Sequence, residues 1–187
     1  GFSNFGIYLK RSLVDTIKGK KLSILNQSFK IRKNSKINLD PHDPYNKFKW
    51  MMSVSEQKNL TSAFNFLTAT RNPIYDGNYK LSYPSITKLM KEINSRGHVI
   101  GLHPSYETFL NNELIVSEAK ILKQKCDKEK IYQNAWGGRM HYLRFKFPET
   151  LYGWAKAGMD FESSLGFADR LGFRCGTCFD YDAFDPI

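Results

Sequence analysis

Apolar residues recur at helical spacing in several stretches of the chain. The clearest stretch covers residues 84–95 and predicts a helix that ends at the Arg96-Gly97 pair, because glycine favours the position after a helix. Four apolar residues share one face of this helix: Ile86, Leu89, Met90 and Ile93. The same spacing predicts further helices over 51–59, 111–126 and 148–157.

Short apolar runs alternate with these helices and are typical of buried strands. They cover 37–39, 62–67, the run after Gly97 that ends on His103, 140–145 and 161–167. The Gly137-Gly138 pair is expected to break the chain before the fourth run. This alternation predicts an α/β fold with a mostly parallel sheet or barrel and with helices outside it.

Three of the runs carry clusters of polar side chains near their ends. The clusters are Asp40, His42 and Asp43 after the first run, His103 with Glu107 after the third, and Arg139, His141 and Arg144 around the fourth. In α/β folds, catalytic and binding groups lie at the carboxyl ends of the strands. Carboxylates and imidazoles that meet there are the ligands of a divalent metal, usually zinc. A lone histidine at a strand end is more often structural, so the prediction depends on the clusters meeting.

Composition and charge limit the function classes. The 187 residues are enough for one domain with a sizeable core, and we divide them into a basic segment over 1–30 and an α/β domain over 31–187. Residues 1–50 hold eleven basic residues against three aspartates, and so carry +8 of the net charge of +10. The basic N-terminal part of the chain is either a solvated face or a surface for an anionic partner. No nucleic-acid-binding motif accompanies it, so no nucleic acid is expected.

The cysteines and the absence of long apolar stretches bear on the compartment. Three cysteines do not suggest a disulfide framework, and a reducing compartment fits them. Cys175 and Cys178 have CxxC spacing, but there is no second pair for a structural zinc site, so we interpret them as structural or incidental. The sequence has no run of about 18 apolar residues and no recognisable signal peptide, which favours a cytoplasmic protein without a transmembrane segment.

Four sequence motifs together resemble the polysaccharide deacetylase family, the NodB-homology or carbohydrate-esterase-4-like enzymes. They are the stretches 97–106, 139–145, 158–169 and 172–178, and the resemblance covers about residues 37–185. The most similar branch is the one found among bacterial surface-polysaccharide genes. The resemblance implies a distorted (β/α) barrel and metal-dependent hydrolysis of an N- or O-acetyl group on a sugar. The chain ends before the family's late catalytic histidine, so we expect the domain to be incomplete.

The first family motif pairs a catalytic-base aspartate with a metal-binding aspartate. Asp40 matches the base and Asp43 the ligand, although the two stand further apart than the family's usual pair. In the usual register, His42 takes the ligand position. The resemblance therefore leaves Asp43 and His42 as alternative ligands.

The second family motif is His-x-x-x-His. His103 matches its first histidine, and Glu107 stands where the second is expected. His141 is the alternative that would complete the ligand set. Arg144 or Arg139 matches the arginine that orients the base. The implied cofactor is a divalent metal, most simply Zn²⁺.

Three functions remain open at this point. The first is a metal-dependent deacetylase whose partner is an acetylated sugar or polysaccharide. The second is a catalytically inactive member that binds carbohydrate or a protein. The third is an anionic-surface binder that uses the basic segment at Lys18, Lys20 and Lys21. Tyr106 and Tyr142 are expected either to line a sugar cleft or to pack in the core.

Overall fold

A parallel sheet with helices packed on it forms the part of the chain described by a computed structural model, which covers residues 14, 31, 34–41, 43, 45–167 and 169–183. Helices α1 to α4 span Phe48–Gln57, Pro84–Ser95, Asn112–Lys128 and Glu149–Lys156. Strands β1 to β4 span Ala63–Leu67, Val99–His103, Gly137–Gly138 and Phe161–Glu162. Two short 3₁₀ turns span Tyr106–Thr108 and His141–Leu143. The predicted α/β class is confirmed.

The four strands lie in the order β1-β2-β3-β4, and every neighbouring pair is parallel. Leu67 pairs with His103, and Leu102 pairs with Gly138, which in turn pairs with Glu162. The carboxyl ends of all four strands therefore lie at one edge of the sheet. In parallel sheets this edge is where ligands bind.

Helix α2 shows how local sequence produces the fold. Pro84 occupies its first turn, where a missing N–H costs nothing, and Gly97 follows its end with a φ of +77° that few other residues adopt. The predicted apolar face is buried. The boundaries of this helix match the prediction, and those of α1, α3 and α4 differ from it by a few residues.

One hydrophobic core joins the helices to the sheet. Its buried members are Met52, Phe64, Phe66, Leu81, Ile86, Leu89, Met90, Ile93, Ile100, Leu102, Ile115, Ala119, Leu122, Cys126, Ile131, Met140 and Trp154. Burying each large apolar side chain of this kind stabilises the fold by about 1.5–3 kcal/mol. The core thus anchors β1 and β2, whose carboxyl ends carry the polar groups considered below.

The glycine pair Gly137-Gly138 is the third strand, so the prediction of a strand over 140–145 is wrong. A Cβ on Gly138 would lie 1.9 Å from the carbonyl oxygen of Leu102, and one on Gly137 would lie 2.4 Å from Phe161. Only glycine allows the neighbouring backbones to come this close. Beyond Met140 the chain makes a 3₁₀ turn instead of continuing as a strand.

Two further strand predictions need correction. Residues 37–39 form a turn and coil, because the N–H groups of Ile37 and Asn38 donate to the carbonyl of Asn34 and not to a strand. The strand predicted over 161–167 is limited to Phe161–Glu162. The N–H of Ser164 donates to the side chain of Glu162 and not to a neighbouring strand.

Some predictions lie outside the described residues. These include the structure of the basic segment 1–30, apart from residue 14, and the position of His42. None of the described helices combines the length and the apolar character that crossing a bilayer requires.

Candidate functional site

Two histidines meet at the carboxyl edge of the sheet. His103 is the last residue of β2, and His141 begins the 3₁₀ turn after β3. Nε2 of His103 and Nδ1 of His141 lie 2.7 Å apart, with the rings nearly perpendicular. The predicted meeting of these two residues is thus found in the structure.

The outer nitrogen of each imidazole is held by a backbone carbonyl. Nδ1 of His103 lies 2.8 Å from the carbonyl oxygen of Arg139, and Nε2 of His141 lies 3.0 Å from that of Tyr75. A carbonyl oxygen only accepts, so both outer nitrogens carry a proton and donate it. The two inner nitrogens face each other at hydrogen-bond distance, 2.7 Å, and share a further proton.

Burial keeps His103 neutral. Desolvation lowers the pKa of His103, and the nearby His141 lowers it further, while the hydrogen bond to Arg139 acts in the opposite direction. With its proton on Nδ1, a neutral His103 presents the lone pair of Nε2 to Nδ1 of His141. This is the form in which imidazole binds a metal.

Asp76 is a buried carboxylate beside the pair that the sequence did not single out. Its Oδ1 lies 3.6 Å from Nε2 of His141, and its side chain is fully buried. It accepts hydrogen bonds of 2.8 Å from the backbone N–H groups of Arg71, Asn72 and Tyr106. Asp76 therefore fastens the loop after β1 to the loop after β2 and places a negative charge beside His141. No local sequence signal distinguishes this aspartate from an ordinary turn residue.

A second buried carboxylate supports the same loops from below. Glu118 on α3 accepts from the N–H and the hydroxyl of Ser105, at 2.8 and 2.6 Å, and from Thr68 at 3.1 Å. Glu118 also forms an ion pair with Arg71, whose Nε donates to Oε1 of Glu118 over 2.8 Å. Glu118 is fully buried, whereas the side chain of Arg71 is 36% exposed, so solvent screens the ion pair from the side of the arginine. Glu118 therefore holds the ends of β1 and β2 in register behind the histidines.

A third carboxylate, Glu162, lies at the end of β4. Burial raises the pKa of Glu162, against the opposing effect of hydrogen bonds from the N–H and hydroxyl of Ser164. The Ser164 hydroxyl also accepts from the N–H of Met140, at 2.7 Å. These contacts run from Glu162 through Ser164 to Met140, the residue before His141. They help to fix the position of the 3₁₀ turn that begins at His141.

The two predicted arginines flank the histidine pair. Nε of Arg139 donates to the carbonyl of Ser163 over 2.9 Å. The guanidinium of Arg144 lies between the rings of Tyr106 and Phe109, at 4.1 and 4.3 Å, and donates to the carbonyl of Tyr106 over 2.9 Å. Neutral groups accept from both cations, and the charge of Arg139 also opposes the rise in the pKa of the nearby Glu162.

Three tyrosines form an aromatic surface beside the histidines. Tyr75 and Tyr106 stack with ring centroids 4.3 Å apart, and Tyr142 meets both edge-on. The ring of Tyr142 also lies 4.7 Å from that of His141, and its side chain is largely exposed. Of the two expectations for Tyr142, the exposed cleft position fits and core packing does not.

The other predicted residues that the structure describes, Asp40, Asp43 and Glu107, make contacts of their own. Asp43 accepts from the N–H of Tyr45 at 3.0 Å, and the carbonyl of Asp40 accepts from the N–H of Asp43 at 3.1 Å. The exposed Glu107 accepts from the side chain of Asn72 at 2.8 Å. The loop that holds Asp40 and Asp43 does not follow a strand, which removes the reason for expecting them at the sheet edge.

The outer contacts of the histidine pair are those of metal-bound histidines, whereas its inner nitrogens, 2.7 Å apart, are closer than the roughly 3.3 Å between two nitrogens on one tetrahedral zinc ion. A metal-bound histidine usually donates its other ring N–H to a carbonyl or carboxylate, as His103 and His141 do. Among the described residues, however, no three His, Cys, Asp or Glu side chains stand together as a ligand set. Zinc sites commonly take three or four protein ligands, so a further ligand is needed beside the pair.

The CxxC pair lies apart from these contacts. Cys175 and Cys178 are exposed free thiols, and Cys126 is a buried free thiol in the core. Sγ of Cys175 lies 3.7 Å from the carbonyl of Leu165. Within the described chain, the interpretation of the pair as structural or incidental is compatible with this arrangement.

Comparisons of the chain with protein-family models, with curated proteins and with solved structures found no significant match. The resemblance of its motifs to the deacetylase family therefore stays a prediction. The chemistry of the protein has to be inferred from the histidine pair, the buried carboxylates and the exposed tyrosines at the edge of the sheet.

Proposed function

We propose that this protein is a metal-dependent hydrolase that removes an N- or O-linked acetyl group from a sugar of a polysaccharide or its precursor. The observation that carries the proposal is the meeting of His103 and His141 at the carboxyl edge of the sheet, with their inner nitrogens facing each other. Carbonyl oxygens hold both outer nitrogens, as in metal-binding histidines. The exposed tyrosines beside the pair support a sugar as the substrate.

His103 and His141 are the residues that would hold a divalent metal such as Zn²⁺, with Asp43, His42 or Glu107 as candidates for a further ligand. When bound, the metal would act as a Lewis acid toward the acetyl carbonyl and the attacking water.

Three other side chains have proposed roles in the same reaction. Asp40 is the base that takes a proton from the attacking water. Arg139 or Arg144 orients that base, or attracts an anionic part of the substrate. These roles come from the motif resemblance. In the structure the backbone carbonyl of Arg139 accepts from His103, and Arg144 contacts Tyr106, whose ring lies 6.4 Å from that of His141.

Metal content tests the proposal most directly. Untagged protein should contain about one equivalent of zinc or a similar ion by plasma mass spectrometry, and His103→Ala should lose it. His98→Asn is the matched control, because Nδ1 of His98 accepts from the N–H of Ser62 at the other end of β2, and asparagine offers an acceptor there. Wild-type protein that stays metal-free even after reconstitution would contradict the hydrolase proposal.

A second candidate function is carbohydrate binding without catalysis. Two observations favour it: the exposed rings of Tyr75 and Tyr142 around the half-buried Tyr106, and the lack of a three-residue ligand set among the described side chains. Acetate release from acetylated sugars by metal-loaded protein separates the two. Binding without release of acetate would favour the second candidate.

The fold that goes with the hydrolase proposal is a distorted (β/α) barrel. Its support is the order of the four described strands, which follow one another in chain order and are all parallel. Strands of (β/α) barrels have this arrangement, and their active sites lie at the carboxyl ends of the strands. The histidine pair occupies that position in the described sheet.

A further inference from the structure

A cleft of about 360 Å³ opens beside the histidine pair. Tyr142 and Leu143 line it from the turn after β3, and Phe167, Asp169, Arg170 and Arg174 line it from the segment after β4. Its volume lies within the usual range of ligand pockets, roughly 300–1,000 Å³. Because Tyr142 contacts the ring of His141, the cleft begins one residue away from the proposed reaction centre.

The backbone that forms one wall of the cleft is strained. Tyr142 and Leu143 have φ angles of +56° and +54°, a left-handed conformation that residues with large side chains rarely adopt. Two such residues in succession persist only where the surrounding structure imposes them, and strain of this kind concentrates at ligand sites. Here it accompanies a tyrosine that is 61% exposed.

The charge of the cleft is positive. Arg170 and Arg174 are both exposed, and within the described part of the chain neither forms an ion pair with a carboxylate. The guanidinium of Arg170 lies 4.2 Å from the ring centroid of Phe167, which orders it without neutralising it. Asp169 is the carboxylate in the lining, so the two arginines leave the cleft with a net positive charge.

We propose that this cleft binds a negatively charged group, a carboxylate or a phosphate, on the saccharide that the protein acts on. Guanidinium groups match both anions with paired hydrogen bonds, and the exposed ring of Tyr142 provides a face for the sugar. The net charge of +10 draws an anionic saccharide toward the protein over a longer range. This inference rests on the proposed function for the identity of the ligand as the substrate.

Calorimetric titration of the metal-free full chain, with the chelator dialysed away, tests the cleft without turnover. The probes are a trimer of galacturonic acid, glucose 6-phosphate and the neutral trimer of N-acetylglucosamine. We expect at least one acidic probe to bind about 10-fold or more tightly than the neutral trimer, since a hydrogen bond to a charged group contributes roughly that factor. Preference for the uronate trimer or for the sugar phosphate identifies which anion the cleft takes.

Two double variants separate the cleft from the overall charge. Arg170→Gln with Arg174→Gln should lose the preference for the acidic probe, about 10-fold or more. Lys58→Gln with Lys120→Gln removes the same charge from exposed positions elsewhere and should change binding less than about 2-fold. Thermal unfolding of both variants verifies that they fold.

Three results would overturn the inference: equal binding of acidic and neutral probes, equal losses in the two double variants, or no binding of acidic probes by a protein that takes up metal and releases acetate. The last result leaves the hydrolase proposal standing. Conversely, specific binding of an acidic probe by a protein without metal or acetate release supports the cleft and contradicts the hydrolase proposal.

Discussion

At the scale of single residues, the orientation of the two imidazoles depends on groups outside the histidine pair. Asp76 is the clearest case, because its three backbone hydrogen bonds hold it in a buried position beside Nε2 of His141. Such outer groups fix the tautomer and the angle of a metal-binding ring. The carbonyls of Tyr75 and Arg139 act in the same way and cannot be removed by mutation of a side chain.

Replacing Asp76 with asparagine should weaken metal binding. The amide keeps the shape of the carboxylate but loses the charge beside His141, and changes in this outer shell typically lower metal affinity about 10–100-fold. Competition with a fluorescent zinc chelator measures the effect. Asp127→Asn, on an exposed residue of α3, is the control. Equal affinities for wild type and Asp76→Asn would show that Asp76 does not orient a metal ligand.

Replacing Asp40 with asparagine distinguishes a base from a ligand. As the proposed base, Asp40 takes up a proton but does not hold the metal, so Asp40→Asn should abolish acetate release while metal content stays near wild type. The two measurements are made on the same preparation. Loss of metal along with activity would instead make Asp40 a ligand.

At the scale of elements, the short strand β3 brings the two histidine-bearing segments together. Its pairing with β2 sets Leu102 opposite Gly138, and the N–H of Arg139 donates to the carbonyl of Leu102 at 2.9 Å. This contact places the carbonyl of Arg139 where His103 reaches it. The two glycines of β3 make the close approach possible.

Replacing Gly138 with alanine should therefore destabilise the protein. The added Cβ would lie 1.9 Å from the carbonyl oxygen of Leu102, so the strands have to separate, and overpacking of this kind costs about 1–3 kcal/mol or more. Urea unfolding measures the loss. The matched control is Gly166→Ala, because no atom beyond its chain neighbours lies within 4 Å of the position that the new Cβ would take. A Gly138→Ala variant as stable as the control would contradict the assigned strand pairing.

At the scale of the whole molecule, one core determines which groups meet solvent. Cys126 is completely buried in that core, whereas Cys175 and Cys178 are exposed. Desolvation, helped by the charge of Asp127, raises the pKa of the Cys126 thiol to about 12, against the opposing effect of Lys125. The core thus keeps one of the three thiols protonated and unreactive.

Thiol counting checks this prediction. Reduced native protein at pH 8 should react with Ellman's reagent at two cysteines, and unfolded protein at three. Cys126→Ser should give two in both states. Three rapidly reacting thiols in the native protein would contradict the burial of Cys126.

The raised pKa of Cys126 also predicts how stability depends on pH. Because the folded state retains the proton of the Cys126 thiol, which the unfolded state loses above the ordinary pKa of 9.0, the free energy of unfolding should fall as the pH rises from about 9 toward 12.

The sequence by itself determined the elements whose signals are local. The helix over 84–95 was predictable because its apolar spacing, Pro84 and Gly97 all lie within one short stretch. Strands β1 and β2 were predictable as continuous apolar runs, and so was the position of His103 at a strand end. Parallel pairing followed from the alternation of strands with helices.

The tertiary structure alone decided which polar groups meet. His103 and His141 are 38 positions apart, and His141 and Asp76 are 65 apart, so no periodicity or end signal relates them. Whether Gly137-Gly138 breaks a strand or forms one depends on Leu102 and Phe161, which lie on other strands. The physical reason is the range of the forces: helix and strand preferences come from neighbours along the chain, whereas a site is made by contacts that exist only after the core has closed.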